Sequence, residues 1–131
     1  MFARDNGVTL VLKGSRTLIA HPDGRVAVNT SGNPGMAKGG SGDVLTGVIA
    51  GLLAQFPDDA AHAVEAAVYL HGLAADLAVR DADEHTVLAT DSFKQFPEAF
   101  RFRPNRFCKN GQRGYVWLQG LPERRSAETA G

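Results

Sequence analysis

The chain has 131 residues, 14 of them basic and 14 acidic, for a formal net charge of zero, and a single cysteine. That length supports one modest domain with a real core, and the balanced charge gives no electrostatic case for a nucleic acid or an anionic membrane. Cys108 alone rules out an internal disulfide framework and fits a reducing compartment.

The N-terminus lacks the basic-then-apolar pattern of a secretion signal. The longest apolar stretch, 48–53, is far short of the ~18 apolar residues of a spanning helix. A soluble cytoplasmic protein is expected. Val8-Thr9-Leu10-Val11-Leu12 is continuously apolar and β-branched, the pattern of a strand buried on both faces, and Lys13-Gly14 ends it. Residues 17–20 and 26–29 read as two short strands joined in a hairpin through Pro22-Asp23-Gly24.

A glycine-rich loop follows and leads into a helix from Ser41 to Gln55, in which Val44, Leu45, Val48, Ile49, Leu52 and Leu53 make one wide apolar stripe. Gly47 and Gly51 each cost that helix about 1 kcal/mol against alanine, which suits close packing against a strand or ligand. Phe56-Pro57-Asp58 breaks the pattern, and Asp58 or Asp59 caps the next helix. That helix, 60–80, is alanine-rich, with Val64, Val68, His71 and Ala75 along one face. After an acidic connector, Thr90 is expected to cap a short helix over 91–100 that Pro97 bends or ends. The tail, 101–131, has no steady period and reads as irregular or disordered, with a shifted reading frame near Arg103 as the alternative.

The loop Asn33-Pro34-Gly35-Met36-Ala37-Lys38-Gly39-Gly40-Ser41-Gly42-Asp43 carries the chemistry. Glycines let backbone amides converge on one point, and a helix N-terminus adds partial positive charge there, an arrangement that suits phosphate. It is not a Walker A loop, because Lys38 precedes Gly39 rather than Ser or Thr, nor is it a dinucleotide fingerprint, because its glycines fall out of register. Asp43, at the start of the helix, is the candidate general base; its bland reading is an acid that only complements the helix dipole, worth about 0.3–1 kcal/mol.

This loop, with Leu12-Lys13-Gly14-Ser15-Arg16-Thr17, Tyr69-Leu70-His71-Gly72-Leu73-Ala74 and Leu88-Ala89-Thr90-Asp91, resembles the bacterial ADP-dependent NAD(P)H-hydrate dehydratases of the ribokinase-like superfamily. The resemblance runs from about Val8 to Phe100 and covers only the C-terminal half of that family's domain. It implies an α/β fold, the incomplete C-terminal portion of a ribokinase-like α/β/α sandwich over 1–100. Residues before Val8 would then lie in a helix, and the missing half would reflect a truncated gene, a misplaced start or a separate chain.

By the same resemblance, Lys13, Gly14, Ser15, Arg16 and Thr17 hold the nucleotide's phosphate and ribose side, while Asn33, Gly35, Met36 and Ala37 shape its pocket. Gly39 frees the turn, Gly40, Ser41 and Gly42 offer amides to the transferred phosphoryl group, and Asp43 meets the substrate hydroxyl. ADP is the implied co-substrate, Mg2+ the implied ion, NAD(P)H hydrate the implied substrate and a homo-oligomer, a tetramer, the implied assembly. A ribokinase-like small-molecule kinase and an inactive remnant that needs its missing half are the alternatives. Elsewhere, His71 reads as a packed, hydrogen-bonded core residue, Lys38 as solvated, and Asp76 and Asp91 as helix or cap residues. The histidines show no spacing for a structural zinc site, and Cys108 has no visible activating partner.

Overall fold

A small antiparallel sheet lies against a layer of helices in the structure, a computed structural model that describes residues 2–101. The irregular tail expected over 101–131 lies outside the described residues from 102 onward, and Arg101 itself is helical instead. A short helix α1 (Phe2–Asp5) leads into β1 (Leu10–Leu12), β2 (Leu18–Ala20) and β3 (Val26–Val28). The sheet order is β1-β2-β3, with Val11 opposite Ile19 and Ile19 opposite Ala27. The hairpin read from Pro22-Asp23-Gly24 is present, and Gly24 takes the positive φ of 91° that its turn needs.

The period-2 alternation of the strands divides the sheet into two faces. Val11, Ile19 and Ala27 point inward and pack with Leu45 and Ile49 of α2 (Ser41–Gln55) and Val64 and Val68 of α3 (Ala60–Asp81). On the other face, Leu10, Leu12, Leu18, Val26 and Val28 are between 38% and 60% exposed. This corrects the expectation of a strand buried on both faces. The inner face has its helices, but no described element covers the outer one.

Both long helices follow the apolar pattern closely, and α2 spans the residues its stripe marks. Asp59 caps α3, its carboxylate accepting from the His62 N–H at 3.5 Å and lying 2.8 Å from His62 Nδ1; that contact draws its pKa below the usual carboxylate range. The centre of the molecule is α3, which packs against both α2 and α4 (Ser92–Arg101). Ala63, Ala66, Ala67 and Ala74 are at most 1% exposed, and their small side chains let the neighbouring helices approach closely.

At the last helix one expectation changes and another is narrowed. Asp91, not Thr90, organises its start: the Asp91 carboxylate accepts from the Leu88 N–H at 2.9 Å, while Ser92 Oγ donates to the Ala89 carbonyl at 2.7 Å. Pro97 does not end α4, which continues to Arg101. Pro97 and Phe93, four residues before it, are both exposed, so the carbonyl that Pro97 leaves unbonded is within reach of solvent. Among the described residues, no helix is long and apolar enough to cross a membrane.

Candidate active site

The turn after β1 and the loop after β3 come together over α2 and α3 to form a cleft of about 530 Å3. Lys13, Gly14, Ser15 and Thr17 line it from the first segment, and Asn33, Met36 and Ala37 from the second. Asn29, Ser31, Gly32, Pro34, Leu45, Val68 and His71 complete the wall. Seven of the residues that the resemblance assigns to the nucleotide therefore share one cavity.

Hydrogen bonds internal to the loops hold this shape. Thr17 Oγ1 and the Gly14 backbone lie 3.4 Å apart and close the first turn. Asn29 Nδ2 donates to the Ser31 carbonyl at 2.9 Å, and Ser31 Oγ sits 2.8 Å from the Tyr69 carbonyl on α3. Asn33 accepts from the Gly35 N–H at 3.0 Å through Oδ1, which caps a single 3-10 turn, Pro34–Met36. Its Nδ2 donates to Asp76 Oδ1 at 3.0 Å, while the Gly32 N–H donates to Asp76 Oδ2 at 2.9 Å. Asp76 thus pins the glycine-rich loop to α3 through both carboxylate oxygens. The sequence reading missed that role, and its only trace is the acid one helical turn after Gly72.

Gly72 is where the loop crosses the helix. A Cβ there would lie 2.2 Å from Ser31 Oγ and 2.8 Å from the Ser31 carbonyl carbon, so only glycine admits this approach. Lys38 also departs from its expected solvation. Its Nζ donates to the Val87 carbonyl and, at 3.0 Å, to that of His85, fastening the loop to the connector before α4.

The remaining predicted residues lie outside the cleft. Gly35 and Ser41 border a second cavity of about 20 Å3 together with His71 and Val87. Arg16 is exposed and does not line the cleft; Gly39, Gly40 and Gly42 are also exposed and lead up to the start of α2. Gly40 is its N-cap with φ 87°, a conformation that favours glycine. Val44 N–H is the first to bond within the helix, to the Gly40 carbonyl at 3.0 Å, and Ser41 N–H reaches the Lys38 carbonyl at 3.4 Å. The amides of Gly42 and Asp43 have no backbone acceptor among the described residues, which leaves donors at the positive end of the helix dipole.

Asp43 stands in the first turn of α2, exposed, and borders an open trough with Val44, Gly47, Val48, Phe93 and Phe96. The cleft and the trough beside Asp43 share no lining residue. His71, expected to be packed and hydrogen-bonded, is packed at 3% exposure but has no hydrogen bond among the described residues. Burial, with a smaller contribution from Lys13, lowers its pKa to about 4, so the ring is neutral near pH 7. Among the described residues no group of three or more His, Cys, Asp or Glu side chains could hold a metal ion.

Known proteins share this arrangement of segments. The family model for NAD(P)H-hydrate dehydratase matches residues 1–98. A bifunctional NAD(P)H-hydrate repair enzyme of Moorella thermoacetica is 48% identical over 100 residues, 76% of this chain and 19% of that protein. An ADP-dependent (S)-NAD(P)H-hydrate dehydratase of Bacillus subtilis is 46% identical over 92 residues, 70% of this chain and 33% of that protein. The crystal structure of an ADP/ATP-dependent NAD(P)H-hydrate dehydratase from Bacillus subtilis, co-crystallised with ATP/Mg2+, superposes with a TM-score of 0.73 at 43% identity. That match covers 76% of this chain and 36% of the other. The chain therefore spans about a fifth to a third of the length of these two curated relatives. Its mixed helix-and-sheet architecture is part of the same fold.

Proposed function

We infer, from the premise that this chain belongs to the NAD(P)H-hydrate dehydratase family, that it carries the nucleotide half of an ADP-dependent (S)-NAD(P)H-hydrate dehydratase site. The carrying observation is the cleft that joins the Lys13–Thr17 segment to the Asn33–Ala37 segment, with Leu45 of α2 in its wall. ADP would occupy the cleft, with Lys13, Gly14, Ser15, Arg16 and Thr17 on its phosphate and ribose side. Asn33, Gly35, Met36 and Ala37 would shape the pocket, with Gly35 acting from behind the wall. Its terminal phosphoryl group would lie over Gly40, Ser41 and Gly42, turned by Gly39, where backbone N–H groups stabilise the charge spread over the transferred oxygens.

The exposed position of Asp43 supports approach of the substrate from the trough rather than from the cleft. Its carboxylate takes the proton of the hydroxyl on the hydrated nicotinamide ring as that oxygen attacks the terminal phosphorus of ADP. The phosphorus–oxygen bond to AMP breaks. Loss of phosphate, with a proton from the neighbouring ring carbon, then restores the ring double bond. Phosphorylation turns hydroxide, a poor leaving group, into a good one. The described residues offer no cage for Mg2+, so an ion serving the reaction would be held by the nucleotide's phosphates. A cytoplasmic setting and a homo-oligomer, a tetramer, accompany this reading, as does a domain over 1–100 followed by a separate tail.

Incubating the chain with hydrated NADH and ADP tests this reading. Free phosphate, AMP and restored NADH are expected, and Asp43→Asn should slow their release by roughly 10²–10⁴-fold without abolishing ADP binding. A stable phosphoester in place of free phosphate would favour a small-molecule kinase. Neither product would favour a remnant that needs the rest of the domain.

A further inference from the structure

Most of the polar side chains that line the cleft are already committed. Asn29 and Ser31 bond to each other, Ser31 also to the Tyr69 carbonyl, Asn33 to Asp76 and Gly35, and Thr17 to Gly14. Three remain with no hydrogen bond among the described residues: Lys13, Ser15 and His71. Lys13 and Ser15 are exposed at the mouth, whereas His71 is 3% exposed and lies on the inner wall with Val68 one turn before it on α3. Around it the lining is apolar, with Met36, Leu45 and Val68. The cleft is thus graded, with a cation at its outer end and greasy walls around one free ring at its inner end.

A nucleotide has the matching gradient. Its phosphates need cations and solvent, and its base needs apolar faces with a hydrogen-bonding edge. A neutral imidazole donates through one nitrogen and accepts through the other, so it suits an uncharged heterocycle and is a poor partner for phosphate. We propose that His71 is the residue that recognises the nucleobase, hydrogen-bonding its edge at the inner end of the cleft while Lys13 and Ser15 remain at the phosphate end. The proposal rests on the nucleotide reading of the cleft and assigns a residue and an orientation within it. The far side of the ring borders the 20 Å3 cavity shared with Ser41, a space of about one water. Ser41 Oγ there has no hydrogen-bond partner among the described residues.

Calorimetric titration and imidazole nitrogen NMR of the full chain test the assignment, with ADP, adenosine and inorganic pyrophosphate as probes. ADP and adenosine should each move the His71 ring nitrogen signals, and pyrophosphate should leave them in place. His71→Phe should weaken ADP and adenosine by the same factor, about 3- to 10-fold for one hydrogen bond, and leave pyrophosphate binding unchanged. His71→Gln, which keeps a donor and an acceptor, should recover part of the loss. If ADP binds the unaltered chain and the His71 signals do not move, the assignment is wrong and the nucleotide cleft stands, a result that needs no variant to fold. If neither ADP nor adenosine binds the unaltered chain, the nucleotide reading of the cleft falls, and the role of His71 with it.

Discussion

Asp76 holds two donors from the glycine-rich loop, the Gly32 N–H and Asn33 Nδ2. Hydrogen bonds to a charged group contribute about 1.5–3 kcal/mol. Asp76→Ala should therefore cost roughly 2–3 kcal/mol in chemical denaturation, with Asp76→Asn intermediate because it keeps one acceptor. No local pattern in the sequence reveals this, since the partners lie 43 and 44 residues away. Lys38 escaped notice for the same reason, its carbonyl acceptors being 47 and 49 residues distant. His71 makes a prediction of its own. Its pKa is lowered from 6.5 to about 4, chiefly by burial. Between those values the unfolded chain takes up a proton there and the folded chain does not, so this group's contribution to stability falls as pH drops from 6.5 toward 4 and is constant above. Thermal melts across that window should show a shallower decline for His71→Gln than for the unaltered chain.

Helices and turns were legible because their signals are short-range. The apolar stripe gave α2 its residues, the Asp59 cap began α3, and Asp23-Gly24 closed the hairpin. What the stripe could not give was the crossing of loop and helix at Gly72, which a helical pattern marks only as a weak point. Gly72→Ala would raise helix propensity by about 1 kcal/mol. The new methyl, however, would overlap the Ser31 backbone, which cannot swing aside as a side chain can. Overpacking of this kind costs about 1–3 kcal/mol, so we expect a net loss of stability. Because Ser31 and Gly32 line the cleft, ligand affinity should fall with it. A variant as stable as the parent would mean that the crossing is looser than the structure has it.

At the scale of the whole molecule, the sequence indicated both the class of fold and its incompleteness relative to the relatives. It erred on the burial of β1, because a run of β-branched and leucine residues records what a strand is suited to, not what covers it. The outer face of the sheet should announce itself: the folded chain should bind a fluorescent hydrophobic dye and precipitate early in ammonium sulfate. Leu12→Lys with Val28→Glu, both at exposed positions, should reduce dye binding and shift stability by no more than about 1 kcal/mol.

The loop-to-helix bonds carry a last consequence, one of timing. Gly32 meets Asp76 across 44 residues, Ser31 meets Tyr69 across 38, and His21 meets Glu65 across 44. Isolated helices form in about a microsecond, whereas contacts this distant must wait for the chain to close large loops. The cleft is then assembled late, after α3 has docked. A ligand of the cleft would find nothing to grip on the way in, and would act by slowing the chain's departure from the native state while leaving its rate of arrival unchanged.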